Sequence, residues 1–207
     1  MTQRATSDLD AIVLAAGRGV RFGGGKLTAP LDDAPLVAGA LLTAFLSPVR
    51  QVFVAVGPDP GVLEAVRATA TRLAVNDRLV VVPISDPSAG MGASLTAAAR
   101  AVPDDTGGVF IFLGDMPRID PATPAHLARM LRDPNDIVAP THLGRRGHPV
   151  LFGATWLPAL RAQSGDEGAR GIIDSAGQRL IRVPVEDPGI HMDVDRPGDL
   201  ASIAARR

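Results

Sequence analysis

The sequence predicts an α/β protein, a single domain built on a doubly wound, mainly parallel sheet. Three observations carry this. Short apolar, β-branched runs alternate with helix-length stretches four times over about 130 residues, the pattern of consecutive βαβ units. The runs are apolar on successive residues rather than alternately, as strands buried on both faces must be. No linker, repeat or low-complexity tract divides the 207 residues, and the 18 prolines and 22 glycines are spread through loops.

Each element has its own warrant. DAIVLAAG (10–17) is a short apolar run ending in glycine, a buried strand that feeds a glycine-rich loop at 17–26. LVAGALLTAFL (36–46) is long enough for a buried helix and is stopped by Ser47-Pro48. QVFVAVG (51–57) is a strand ending in Gly-Pro, and 61–73 carries Val62, Leu63, Val66 and Ala70 at helical spacing. RLVVVPI (78–84) is the next strand, 93–102 the next helix, and GVFIFLGD (108–115) the clearest strand of the chain. A helix at 122–131 and a strand DIVAP (136–140) follow. The last third is looser: GHPVLF (147–152), a loop GDEGAR (165–170), strand-like RLIRVPV (179–185) and a terminal helix after Pro197.

Composition removes several function classes. Charged residues make up 21% and sum to −1, so the chain has no global attraction for nucleic acid or an anionic membrane. Aromatics are 3%, with one Trp and no Tyr, which leaves no platform for stacking bases. No apolar run approaches the ~20 residues of a membrane span, and the N-terminal MTQRATSDLD is polar rather than signal-like. The absence of cysteine excludes a thiol nucleophile, a thiolate metal site and any disulfide. A cytoplasmic protein without nucleic-acid or membrane partners is expected.

In an open α/β sheet, ligands sit beyond the carboxyl ends of the strands. Three loops leave such ends: 17–26, 85–94 and 114–118. The first belongs to LAAGRGVRFGGGK (14–26), with five glycines, the cations Arg18, Arg21 and Lys26, and no acid between Asp10 and Asp32. Glycine backbone N–H groups close around phosphate oxygens, and the cations offset a triphosphate's charge. A P-loop fails at Leu27, where Ser or Thr must follow the lysine; the dinucleotide fingerprint fails at Phe22. A nucleoside-triphosphate loop of a third kind fits better than a solvated surface loop.

Asp115, in Leu113-Gly114-Asp115-Met116-Pro117, ends a hydrophobic strand where a lone carboxylate is poorly placed for stability. It suits Mg²⁺, which takes one or two carboxylates plus substrate phosphates; a turn-capping role is the alternative. Asp193-Val194-Asp195, if extended, presents both carboxylates on one face for a shared metal. The same stretch also reads as the entry to the last helix. Gly90-Met91-Gly92-Ala93-Ser94-Leu95 is a glycine loop opening a helix, suited to close approach of a base or anion, or an ordinary helix start. Arg145, Arg146, His148 and Arg170 could grip an anionic second substrate or be solvated loop charges. His126, His142, His148 and His191 have no metal-ligand spacing, and no Ser-His-Asp arrangement emerges.

Taken together, these motifs resemble the small MobA-like nucleotidyltransferases, and most closely their molybdenum cofactor cytidylyltransferase branch. LAAGxxxRFGGGK, GMGASL, LGDMP, GHPVLF, GDEGAR and DVDRPGDL occur in the family's order over nearly the whole chain. The resemblance implies a Rossmann-like nucleotidyltransferase fold and transfer of CMP from CTP to the terminal phosphate of molybdopterin, with release of pyrophosphate. Guanylyl-transferring relatives usually read LAGG where this chain has Leu14-Ala15-Ala16-Gly17, which tilts the base towards cytosine. The family commonly has Met in place of Phe22, and DIDTPEDL in place of DVDRPGDL.

By this resemblance, Leu14, Ala15, Ala16, Gly17, Arg18, Gly19, Arg21, Lys26, Gly90, Gly92 and Ser94 bind the nucleotide. Lys26, Arg21 and Asp115 serve the chemistry, and Asp115 holds Mg²⁺ with Asp193 or Asp195. Arg145, Arg146, His148 and Arg170 face the acceptor, and a molybdenum hydroxylase would receive the product. Four alternatives stay open: guanylyl transfer or another acceptor, a GT-A-type glycosyltransferase, a non-catalytic delivery protein, and an oxidoreductase such as nicotine blue oxidoreductase.

Overall fold

Strands form where the apolar runs are unbroken, and helices form on both sides of them. The structure, a computed structural model, describes residues 8–165 and 168–204; the N-terminal MTQRATS and the acids of GDEGAR, Asp166 and Glu167, lie outside the described residues. The chain begins with β1 (Leu9–Ala15), a small ribbon of β2 (Pro30–Leu31) and β3 (Ala34–Pro35), then α1 (Val37–Leu46). It continues through β4 (Val52–Val56), α2 (Pro60–Arg72), β5 (Leu79–Pro83), α3 (Met91–Ala101), β6 (Gly108–Leu113) and α4 (Ala122–Met130). The remainder comprises β7 (Ile137–His142), β8 (Arg145–Arg146), β9 (Val150–Gly153), α5 (Leu157–Leu160), α6 (Arg170–Ser175), β10 (Leu180–Pro184) and α7 (Pro197–Ala204).

The main sheet has the order β10-β7-β9-β6-β1-β4-β5, with β8 attached to β7. The pairs β6–β1, β1–β4, β4–β5 and β7–β10 are parallel. Period-2 geometry divides the core. On β1, Ala11, Val13 and Ala15 pack with α1 and α2 on one face, while Ile12 packs with α3 and α5 on the other. Apolar side chains on both faces of the central strands, each covered by helices, are what make the sheet doubly wound.

One element runs against the expectation of simple parallel succession. β9, from GHPVLF, lies between β6 and β7 and is antiparallel to both. The reversal starts at Leu143 and Gly144, both at positive φ, the two-residue turn that reverses β7 into β8. The sheet is therefore mixed, mostly parallel, with β8 and β9 its antiparallel strands.

Two glycines set the geometry of that cleft by close approach. A Cβ on Gly39 of α1 would collide with the Pro117 backbone, and one on Gly114 would stand 2.9 Å from the Leu14 carbonyl oxygen. The Gly114 N–H donates to that same carbonyl at 2.9 Å. The loop after β6 is thus clamped against the end of β1 and against α1. Among the described residues no helix is long and apolar enough to cross a membrane.

Candidate functional site

The carboxyl ends of β1 and β6 open into a chain of three adjoining cavities. The first, about 410 Å³, is lined by Ala15, Ala16, Gly17, Arg18, Lys26 and the loops after β4 and β5. The second, about 340 Å³, includes Leu14, Gly19, Lys26, Gly90, Ser94 and Asp115. The third, about 330 Å³, is walled by Leu95, Ile111, Val150, Phe152 and Ile173, with Arg146, His148 and Arg170 in its lining. Lys26 belongs to both the first and the second; Leu14, Met91 and Leu113 belong to both the second and the third.

Lys26 sits where an ion cluster converges. Its Nζ donates to Asp115 Oδ2 at 2.7 Å and lies 3.7 Å from Asp195 Oδ1. Arg21 Nη1 reaches Asp195 Oδ2 at 3.3 Å from a largely exposed position. The lysine side chain is only 11% exposed, so its ammonium is substantially desolvated. Gly19 makes room for it, since a Cβ there would stand 2.9 Å from the Lys26 Cβ. Asp115 Oδ1 is buried and has no hydrogen-bond partner among the described residues.

The C-terminal segment delivers Asp195 through the backbone: the Val194 N–H donates to the Asp115 carbonyl at 3.0 Å, and Val194 is buried. The entry to α7 does not use the Asp195 side chain, because the acid that caps α7 is Asp199. Its Oδ2 accepts from the Asp195 and Arg196 N–H groups at 2.9 and 2.7 Å, the reach-back half of a capping box, with Pro197 opening the helix. Asp195 is left to the ion cluster. Partial desolvation pushes the Asp193 carboxyl up, and the charges of Asp115 and Asp195 push it the same way.

The oxygen donors here are of the kind that hard cations take. Among the described residues, no group of three or more His, Asp or Glu side chains could hold a metal ion by itself. The open Asp115 Oδ1, with Asp195 across the ammonium, fits a cation completed by ligand oxygens.

The third cavity has a cationic mouth. Arg146 Nη1 and Arg170 Nε each lie 3.7 Å from opposite oxygens of Asp174, so two guanidinium groups share one carboxylate. His148 Nδ1 is buried without a hydrogen-bond partner among the described residues. Burial pushes the His148 pKa down, against the Ile111 carbonyl and the Asp115 charge, which favour the cation.

Not every residue singled out from sequence lines the cleft. Arg145 is exposed on β8 and lines none of these cavities. Gly92 instead packs the start of α3 closely on the loop between α5 and α6: its N–H donates to the Gly165 carbonyl at 2.8 Å, and a Cβ would meet the Ser164 backbone at 2.7 Å. Conversely, Asp59 lines the first cavity from outside the loops that the sequence singles out, while Asp86 and Ser88 line it from the 85–94 loop. Asp86 Oδ1 accepts from the Ser88 N–H and hydroxyl; these bonds, with Arg18 nearby, hold its carboxyl below the usual range. The available signal was Gly57-Pro58-Asp59, an acid just past the carboxyl end of β4.

Residues 11–181 match the MobA-like NTP transferase domain. The chain belongs to the MobA-like NTP transferase family. Among its relatives, the purine catabolism protein PucB of Bacillus subtilis is 29% identical over 193 residues, covering 91% of this chain and 92% of PucB. The crystal structure of an Rv0371c homologue from Mycobacterium sp. strain JC1 superposes with a TM-score of 0.83 at 29% identity, covering 96% of each chain. Rv0371c of Mycobacterium tuberculosis, in complex with manganese, gives a TM-score of 0.74 at 25% identity over 97% of this chain and all (100%) of that one. Nucleotidyl transfer is the chemistry of this MobA-like family, and the cleft lies where such a sheet binds its ligands.

Proposed function

We propose that the chain, as a single nucleotidyltransferase domain over residues 1–207, moves CMP from CTP to the terminal phosphate of a molybdopterin-type cofactor in the cytoplasm. An acceptor phosphate oxygen attacks the α-phosphorus, a new P–O bond forms, the bond to the β-phosphate oxygen breaks, and pyrophosphate leaves. The reaction needs positioning and charge stabilisation rather than a protein nucleophile. The observation that carries this reading is the cluster of Lys26, Asp115 and Asp195 at the middle cavity, which adjoins a glycine-lined cavity on one side and an apolar one with a cationic mouth on the other.

In this reading the backbone of Ala15, Ala16 and Gly17, with Gly90 and Ser94 of the second cavity, holds base and ribose. Arg18, Arg21 and Lys26 hold the phosphates, and Lys26 meets the negative charge that develops on the α-phosphate and leaving group. Cytosine is favoured because Leu14-Ala15-Ala16-Gly17 reads LAAG rather than LAGG. Arg146 and Arg170 hold the acceptor's phosphate end, and Leu95, Ile111, Val150 and Phe152 take its flat body. Asp115 and Asp195 would hold Mg²⁺, and the complex of Rv0371c of Mycobacterium tuberculosis with manganese supports a divalent metal as the class of ion. The ion, when bound, neutralises charge on the triphosphate. A molybdenum hydroxylase would then receive the product.

Pyrophosphate release, measured with CTP, GTP, ATP and UTP and with or without the molybdopterin-type acceptor, tests this reading. Release that needs both CTP and the acceptor is expected. Release with GTP instead makes this a guanylyltransferase, and release with CTP and another acceptor keeps the mechanism and discards the substrate. Nucleotide binding without release in any mixture overturns the enzymatic reading.

A further inference from the structure

We propose that the Lys26 ammonium acts as a stand-in for the divalent cation: it occupies the carboxylate site until nucleotide phosphates draw it away, so that metal binding waits on the nucleotide. The inference rests on the metal reading above and concerns what this chain's own lysine does to that site.

Three observations carry it. Nζ lies 2.7 Å from Asp115 Oδ2 and 3.7 Å from Asp195 Oδ1, between the two carboxylates that would ligate the ion. A magnesium-sized ion stands about 2.1 Å from a carboxylate oxygen. On Asp115 Oδ2 it and the ammonium would be within about 5 Å of each other, in a pocket where the lysine side chain is 11% exposed and water screens little. Asp115 Oδ1 stays open, so the lysine satisfies the site only in part, whereas an ion with several coordination positions would use it.

The lysine also has somewhere to go. Lys26 lines both the cavity that contains Asp115 and the adjoining one lined by Gly17, Arg18 and Gly25. Movement of its long side chain carries Nζ from the carboxylates towards a triphosphate in that neighbouring cavity. Three consecutive glycines at positive φ precede it, Gly23, Gly24 and Gly25, and they give the backbone freedom to follow. A nucleotide therefore does two things at once. Its phosphates receive the ammonium, and the vacated carboxylates, joined by phosphate oxygens, receive the metal.

The test is a titration of Mn²⁺ followed by the electron paramagnetic resonance of the free ion, on the full chain without nucleotide. Lys26→Gln and Lys26→Met are expected to bind Mn²⁺ alone at least about tenfold more tightly than wild type, because the competing charge is gone. Lys26→Arg, which keeps the charge, is expected to remain as weak as wild type. Wild-type affinity in both neutral variants overturns the proposal; two neutral variants guard against one that fails to fold. Adding Asp115→Asn to Lys26→Gln separates the two ideas. Loss of the tightened binding is expected, whereas unchanged binding places the ion elsewhere and fails the metal reading itself.

Discussion

The two ends of the central sheet each carry a cation between two aspartates, and the two trios are built differently. At the amino end, Arg50 Nη2 lies 2.8 Å from Asp10 Oδ2 and 3.1 Å from Asp105 Oδ1, and the Gln51 N–H donates to the other oxygen of Asp10. Asp10 is 1% exposed, and both of its oxygens are engaged. The hydrogen bonds that Arg50 donates to the Asp10 and Asp105 carboxylates raise its pKa further above its ordinary value, so this cation stays charged. At the carboxyl end, Lys26 is a point charge on a flexible stem, and Asp115 keeps one buried oxygen open. A guanidinium's fixed fork closes a site geometrically, while an ammonium can leave one. Each trio is one cation and two aspartates; in the first both oxygens of Asp10 are engaged, and in the second Asp115 Oδ1 is left open.

Substitution at each end should separate these roles. The largest effect is expected from Asp115→Asn, which should lower turnover by roughly 10³-fold or more while the unfolding midpoint stays near wild type. Turnover within about threefold of wild type would show that Asp115 has no part in the chemistry. At the other end, Arg50→Met strands Asp10 in the interior and should cost about 3 kcal/mol in denaturant unfolding, with nucleotide affinity unchanged. If Arg50→Met instead weakened nucleotide binding without loss of stability, the two ends would not be separable.

The smallest effect concerns His148, whose pKa burial lowers. Its unfolded-state pKa is about 6.5, so in the window below that value the unfolded chain binds the extra proton first. Its contribution to stability is therefore complete above about pH 6.5 and is lost as pH falls towards the depressed folded value. His148→Gln should flatten this acid-side slope of the unfolding midpoint; an unchanged slope would mean that other groups set it.

Much of the fold was legible because burial on both faces leaves a local mark. The runs at 10–17, 51–57, 78–84, 108–115 and 136–140 contain β4, β5 and β6, all of β1 except Leu9 and all but the last two residues of β7. The direction of β9 was not legible. GHPVLF is an apolar strand in either orientation, and its antiparallel place depends on the Leu143-Gly144 turn and on the gap between β6 and β7. For the site, the glycine-rich loop and Asp115 were visible, since each breaks the pattern of the strand it follows. The position of Arg145 was not, because adjacent residues on a strand face opposite ways and nothing local says which face meets the cleft.

What the sequence determined by itself was the alternation of strands and helices, the one-sided placement of the loops, and the family to which its motifs point. Those properties are local, set by hydrophobic period, by glycine and by the cost of burying a lone acid. What only the tertiary structure decided was the meeting of Lys26, Asp115 and Asp195. Asp115 and Asp195 are brought side by side by a backbone bond from Val194, and Asp199, by taking over the helix cap, leaves Asp195 free for the cluster. Contacts between residues so far apart in the chain depend on where strands and loops pack, and no local pattern encodes that.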